Sequence, residues 1–429
     1  MIHTVKFTFI LLFILNDWQA VGQPHTASVV HKNIQQQTEE IFGDLVKIRK
    51  DFHTHPELSG QEKRTAAKIE NYLKSLGLEV KTEIGGYGVV GILRGKKKGK
   101  SVAWRADIDA IPSNIEKRVG FSSKSESAKH LCGHDVHTTI ALGIAQVLAN
   151  QKEHLQGTVY FIFQPSEENL KGAKAMIDDG LFELVHPDEI YALHTSPFPV
   201  GTVATKSAAI YAIKYAFHIT YRQSEHEEAL TKYTRTLIDS LQTVKTDSPF
   251  WNTENLGDPA LGITHPNTIY KDYVLTKHRP DTERNKNSFT LQASIQIDDK
   301  ARVDAIKTYL QQKIKASDYA EELIKVTYSL DYVPIYNQKV LAKQAIAQLK
   351  AIYGVQRVIP IHGVIPDDRN DDFAYFQEKI PGVYFFLGCS NFEKGIIAMP
   401  HSPTFAVDEE CIKVGVQFFS SLIVERLAP

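Results

Sequence analysis

Cys132-Gly133-His134 sets a thiol and an imidazole two residues apart, Glu167-Glu168 sets two carboxylates side by side, and further histidines stand at 194 and 401. Thiolates, imidazoles and carboxylates are the donors that divalent transition metals take from a protein. Singly, each has a plain structural explanation: a chance loop for Cys132 and His134, a solvated turn for the glutamates, a satisfied core residue for His194. Together they form a donor set for two ions about 3.5–4 Å apart, which polarise a carbonyl oxygen and activate water. Such chemistry needs one uncoordinated carboxylate to take a proton and pass it to the leaving nitrogen. Glu167 and Glu168 suit that division, because neighbours on an extended segment project in different directions. One serves as ligand and the other as base.

The surrounding pattern places these residues at strand ends. Strand-length apolar runs at Val89–Leu93, Ser101–Trp104, Thr158–Phe163 and Glu189–Leu193 alternate with helical patterns at Thr138–Leu148 and Gly172–Ile177. This alternation predicts an α/β fold with helices on the faces of a sheet. Ligands of open α/β sheets bind beyond the carboxyl ends of the strands. Arg105-Ala106-Asp107-Ile108-Asp109 follows one run, Gln164-Pro165-Ser166-Glu167-Glu168 another and His194 a third, and Cys132–His137 leads into a helix.

From about Lys214 the texture changes. Alternating residues Tyr215–Tyr221 lead to a helix expected over Glu227–Val244, then to a strand at Ser288–Ile297 and a helix at Lys300–Ile314. This reads as a smaller α+β domain inserted into the first. The expected divisions are 1–22, 23–213, 214–331 and 332–429, the last returning to the catalytic domain with a helix at Gln338–Tyr353 and a strand at Gly382–Leu387.

The 49 Lys and Arg nearly balance the 50 Asp and Glu, giving a net charge of −1 and no electrostatic reason to expect nucleic acid or anionic membrane as a partner. A small-molecule substrate is expected instead. Residues 1–22 read as a signal peptide: a short apolar run, Phe7–Leu15, is followed by small residues at Ala20 and Gly22. The run is about half the ~20 residues a spanning helix needs, so export without stable membrane insertion is expected. Three cysteines, Cys132, Cys389 and Cys411, are too few for a disulfide scaffold.

With these pieces in order, the chain resembles the co-catalytic metal amidohydrolases that include hippurate hydrolases, indole-acetyl amino acid hydrolases and N-acyl amino acid amidohydrolases, relatives of the aminoacylases and carboxypeptidase-type metallopeptidases. The resemblance rests on Phe52–Ser59 with Glu62, Arg105–Pro112, Cys132–Thr138, Phe163–Glu168, Gly172–Met176, His194, Asp372-Phe373 and His401-Ser402-Pro403. It implies a zinc-peptidase-like catalytic domain interrupted by a lid domain. Two divalent ions, zinc or manganese, would be held by Cys132, His134, Glu168, His194 and His401. Glu167 would be the general base, and Asp107 and Asp109 would orient the ligands, Asp109 being counted with Glu167 in the catalytic set. A homodimer packed through the lid comes with the resemblance. The lid departs from the family pattern, however. Where a Gly-His pair contributes a substrate-binding histidine, this chain has Ser224-Glu225-His226-Glu227, which leaves His226 as the candidate. Where an Arg ends a lid strand, it has Gln296, and Asp371 stands where Glu is usual. The expected activity is metal-dependent hydrolysis of an amide bond in N-acyl amino acids or similar small amides. The alternatives are a dipeptidase or carboxypeptidase on the same scaffold, or a metal-binding homologue without turnover. A thiol-redox role for Cys132 lacks a neighbouring second cysteine.

Overall fold

The computed structural model describes residues 25–112, 127–366 and 370–428; the expected leader at 1–22 lies outside them. The large sheet has eight strands in the order Glu79–Ile84, Gly88–Arg94, Gln156–Gln164, Lys97–Asp107, Glu189–Pro199, Gly382–Ser390, Val203–Thr205 and Val358–Pro360. Its four central strands, Gln156–Gln164, Lys97–Asp107, Glu189–Pro199 and Gly382–Ser390, run parallel, so their carboxyl ends meet on one edge of the molecule.

Both faces of these strands are covered over their inner stretches, which are mostly apolar on both sides rather than half polar. Period-two alternation divides their side chains between two cores. Trp104, Phe161, Phe163, Tyr191, Leu193, Phe385 and Leu387 point to one. There they meet the helices His25–Thr54, His134–Asn150, Lys339–Tyr353 and Glu410–Leu427. Trp104 lies 4.7 Å ring to ring from Phe419 of the last helix. Ala103, Ile162, Ile190, Ala192, Tyr384 and Phe386 point to the other, beneath the short helices Gly172–Asp178 and Phe373–Lys379. The fold class is α/β with an inserted α+β unit.

The insertion is a four-stranded antiparallel sheet in the order Val274–Asn285, Ser288–Ile297, Ile213–Arg222 and Leu323–Leu330. The chain therefore enters this sheet at Ile213 and leaves it at Leu330. Tyr215, Phe217, Ile219 and Tyr221 pack with Leu230 and Leu237 of the helix Glu227–Asp239 and with Leu310 and Ile314 of the helix Val303–Lys315. The alternate residues, Lys214, His218, Thr220, Ser294 and Gln296, form the face turned away from the helices. Two details differ from the sequence expectation. The lid helix stops at Asp239 instead of reaching Val244, and the chain beyond it turns so that the Thr243 N–H donates to the Val274 carbonyl at 3.0 Å. The fourth strand, Leu323–Leu330, was not anticipated; only Val326 of its residues is buried, so its apolar signal is weak.

Among the described residues no helix is long and apolar enough to cross a membrane. Cys132, Cys389 and Cys411 are all buried and unbridged.

Candidate metal centre

The site forms where the four parallel strands end. Three histidines there have their ring orientation settled by the protein. His134, the first residue of the helix His134–Asn150, places Nδ1 2.9 Å from the Asp109 carbonyl oxygen and 3.2 Å from its carboxylate. Because both partners accept, Nδ1 carries a proton, and Nε2 is the nitrogen turned toward the other donors. That Nε2 is buried with no hydrogen-bond partner. His194 donates from Nδ1 to the Thr195 carbonyl at 2.8 Å, which leaves its Nε2 3.2 Å from the Cys132 thiol. His137 differs: Nδ1 lies 2.6 Å from Asp107 and Nε2 accepts the Thr195 backbone N–H at 2.9 Å. Both of its nitrogens are used, so it braces the site and is not a ligand.

The helix carrying His134 and His137 starts at Gly133, whose φ is +95°. A Cβ there would meet Thr195 Oγ1 at 2.5 Å, so the left-handed turn and the close strand both require glycine. Gly133→Ala is expected to cost about 1–3 kcal/mol of stability through backbone strain and to lower metal occupancy by shifting Cys132 and His134. Denaturant unfolding and elemental analysis of the variant check this; unchanged values in both would show that the turn tolerates a side chain.

Five of the expected ligands come together. Cys132, His134 and His194 form one set of donors within 4.8 Å of one another, and Cys132, Glu168 and His401 form a second within the same limit. Cys132 belongs to both, so a thiolate at this position stands between two cation positions. His401 is the exposed member, at 56% side-chain exposure, with Nε2 3.3 Å from Glu168 Oε2. Its backbone has φ +61°, and its N–H donates to the Leu131 carbonyl at 2.8 Å, which ties this distant loop to the one bearing Cys132.

The glutamates correct one expectation. Their segment is a turn, not an extended strand, with the Leu170 N–H donating to the Glu167 carbonyl at 2.7 Å and Ser166 at φ +55°. Both carboxylates therefore converge on His134 Nε2, Glu167 at 3.7 Å and Glu168 at 3.6 Å. Their other neighbours separate them. Glu168 faces His401, while Glu167 shares a cluster with Asp371 and Asp372. Burial, and then Asp371, push the Glu167 carboxyl well above the usual carboxylate range. A carboxyl raised in this way, with His134 as its nearest cationic neighbour, is suited to holding and releasing a proton. Burial likewise pushes up the Cys132 thiol, with Glu168 adding to it. For His134, burial alone would lower the imidazole, but Asp107 and Cys132 outweigh it and hold the value well above the usual one. An orphaned nitrogen, a protonated thiol and two crowded carboxyls in one buried space fit a cation centre, since a cation gives each of these donors a partner.

Asp109 is placed for the orienting role that the resemblance implies. It is fully buried, and its Oδ2 accepts the Ser59 hydroxyl at 2.7 Å and the Glu168 N–H at 3.1 Å, while its other oxygen faces His134. It positions two ligands and touches nothing that reacts. His226, expected to bind substrate, is not brought to this centre. It precedes the lid helix Glu227–Asp239, and its ring is 62% exposed beside Glu225 at 3.8 Å. Without the family's glycines the chain turns straight into that helix, and the ring faces solvent.

The residues that sequence reasoning underweighted lie beneath the ligands. Arg105 is fully buried and reaches Gln164 at 2.8 Å, Asp107 at 2.7 Å, Asp371 at 2.9 Å and Asp372 at 3.2 Å. Gln164 in turn donates to Asp372 at 2.5 Å. An arginine inside an otherwise apolar strand was the available signal, because a buried cation must have acidic partners. Glu62 supports the catalytic turn, accepting the N–H groups of Gly60 at 2.9 Å and Ser166 at 2.8 Å. Arg105→Met is expected to destabilise the fold by about 3–5 kcal/mol, because three buried aspartates lose their counter-charge. A denaturant midpoint within error of the parent would show that the cluster does not depend on Arg105.

A parallel sheet whose strand ends carry two donor sets linked by one thiol, with a further carboxylate beside them, defines the class: a metallohydrolase of the two-ion type. The chain belongs to peptidase family M20/M25/M40, whose model matches residues 103–425. It is 32% identical to thermostable carboxypeptidase 2 of Saccharolobus solfataricus over 92% of this chain and 98% of that protein. It is 30% identical to N-acetylcysteine deacetylase of Bacillus subtilis, over 89% of this chain and 96% of that protein. Among solved structures, it is similar to the Bacillus subtilis YXEP protein, described as a dinuclear metal binding peptidase, with TM-score 0.67, 25% identity and coverage of 91% of this chain and 99% of that one.

Proposed function

We propose that this enzyme hydrolyses the amide bond of an N-acyl amino acid or a similar small amide, using a pair of divalent ions, zinc or manganese. The observation that carries the reading is the shared thiol: Cys132 lies in both donor sets, with Glu167 beside them and outside both. An ion pair bound there supplies Lewis-acid polarisation of the scissile carbonyl and a lowered pKa for water. The residues do the rest. Cys132, His134, His194, Glu168 and His401 bind, and Asp109 and the Thr195 carbonyl fix the imidazoles so that the Nε2 lone pairs point inward. Glu167 takes the proton from water and returns it to the leaving nitrogen, which departs as an amine. The deacetylase relative supports an N-acyl substrate.

The carboxypeptidase relative supports a second reading, cleavage of peptides on the same scaffold. Assaying N-acetyl and N-benzoyl amino acids against free peptides, with zinc or manganese added, separates the two. Turnover of N-acyl amino acids and not of peptides is expected, and the reverse pattern selects the second reading. We also propose export, on the strength of the Phe7–Leu15 run and the small residues at Ala20 and Gly22. A protein recovered outside the cytoplasm with its first residues removed is the expected outcome. A homodimer is proposed through the outer lid strand Val274–Asn285, since the edge of a sheet can pair with a second copy. Sedimentation as a monomer at assay concentration would remove that proposal.

A further inference from the structure

Two of the three thiols take no part in the metal centre, and the fold brings them together. Cys389 is the penultimate residue of the strand Gly382–Ser390 and faces the same core as Phe385 and Leu387. Cys411 is the second residue of the last helix, Glu410–Leu427, and turns into that core as well. A backbone clasp joins the two. The Asp408 N–H donates to the Cys389 carbonyl at 2.8 Å, and the Cys411 N–H donates to the Asp408 carbonyl at 3.0 Å. The Cys411 thiol is in hydrogen-bonding contact with the Cys389 sulfur, and both residues are 0% exposed. A thiol is a weak donor and a weak acceptor, so this contact adds little to stability as it stands.

The chain between them gives the pair its consequence. Residues 390–410 carry His401, whose ring belongs to the donor set with Cys132 and Glu168. Much of this segment is irregular, with Phe392, Ile397 and Met399 exposed. At its base, Asp408 also accepts from the Asn391 amide at 2.6 Å and from Lys394 at 2.9 Å. Near its tip, the His401 N–H holds the Leu131 carbonyl.

We propose that Cys389 and Cys411 form a disulfide, which closes the base of the loop that presents His401 to the metal centre. The pairing goes beyond the amide-hydrolase reading and does not depend on it. Export supplies an oxidising compartment in which such a bond persists. The oxidant is a low-molecular disulfide such as oxidised glutathione. One cysteine thiolate attacks it, forming a mixed disulfide and releasing one glutathione thiol. The second thiolate then displaces the other glutathione, so two protein thiols become a disulfide and one oxidised glutathione becomes two reduced. Both sulfurs are buried in the folded chain, so the exchange takes place before the last helix closes over the strand.

The test refolds the full, reduced chain into oxidised glutathione and, in parallel, holds the native chain in the same buffer with sub-denaturing guanidinium. Alkylation under denaturing conditions and peptide mass spectrometry then locate every cysteine. A linked peptide pair carrying residues 389 and 411, lighter by two hydrogens than its reduced parts, is expected. It should disappear on adding dithiothreitol and be absent from Cys389→Ala and Cys411→Ala. Closing a loop of about 20 residues should lower the unfolding equilibrium constant by about 10²-fold in the oxidised parent. Oxidant should leave the double variant unchanged, and metal should be lost to a chelator more slowly from the oxidised parent than from the reduced one. Three alkylatable cysteines after both treatments, or a linkage that includes Cys132, would overturn the pairing. A linked chain no more stable than the reduced one would overturn the anchoring of the His401 loop.

Discussion

Glu167→Gln is expected to lower kcat by about 10²–10⁴ while the metal content stays at the parent value. The substitution keeps the shape of the side chain and removes only its ability to accept a proton. Glu167 belongs to neither of the two donor sets that share Cys132, although its carboxylate lies 3.7 Å from His134 Nε2. If it served as a ligand, glutamine would bind the ion less well and occupancy would fall with activity. The two measurements together therefore separate a base from a ligand. The loss should appear in kcat, with KM changed little, because the proton moves in the transition state and not in the bound ground state. Turnover within a few-fold of the parent would remove Glu167 from the mechanism, and a fall in metal content would move it into the coordination sphere.

Cys132→Ala should have the other large effect, the loss of both cations together. His401→Ala removes a donor from one set only and should leave roughly half the metal, whereas Cys132 is common to both. Activity in Cys132→Ala is expected to fall further than the 10–100-fold typical when a supporting residue around a metal is lost. Elemental analysis after gel filtration distinguishes the cases: one ion retained in Cys132→Ala would show that the thiol serves a single position. The protonation state adds a pH signature. Burial pushes the Cys132 thiol up, so the apo protein carries a proton there that a cation must displace. Metal affinity in the parent should therefore rise with pH, by about tenfold per unit for each proton released. Cys132→Ala should lose that proton's share of the slope.

Most of the ligand set was legible along the chain because metal chemistry restricts residue type. A thiol beside an imidazole before a helix and carboxylates after a strand-length run are readable without coordinates, as is the order in which they occur. Residues whose role depends on direction were not legible. His137 and His134 share a helix face, but the Thr195 N–H occupies the nitrogen that would have made His137 a ligand. The extended geometry assumed for Glu167 and Glu168 failed because residues 166 and 170 both adopt positive φ, and nothing in Ser166 or Leu170 announces that.

The sequence by itself determined the alternation of strands and helices and the balanced charge, and it offered an inserted domain and five candidate donors. These follow from local properties: side-chain period, apolar content and the chemistry each residue type permits. Only the tertiary structure decided that Cys132 is shared, that Glu167 lies outside both sets that share it and that His226 stands apart in solvent. It also decided that Arg105 neutralises aspartates from both ends of the chain. Those facts depend on which lone pairs meet which protons across more than 200 residues of sequence, a matter of packing geometry that no single segment encodes.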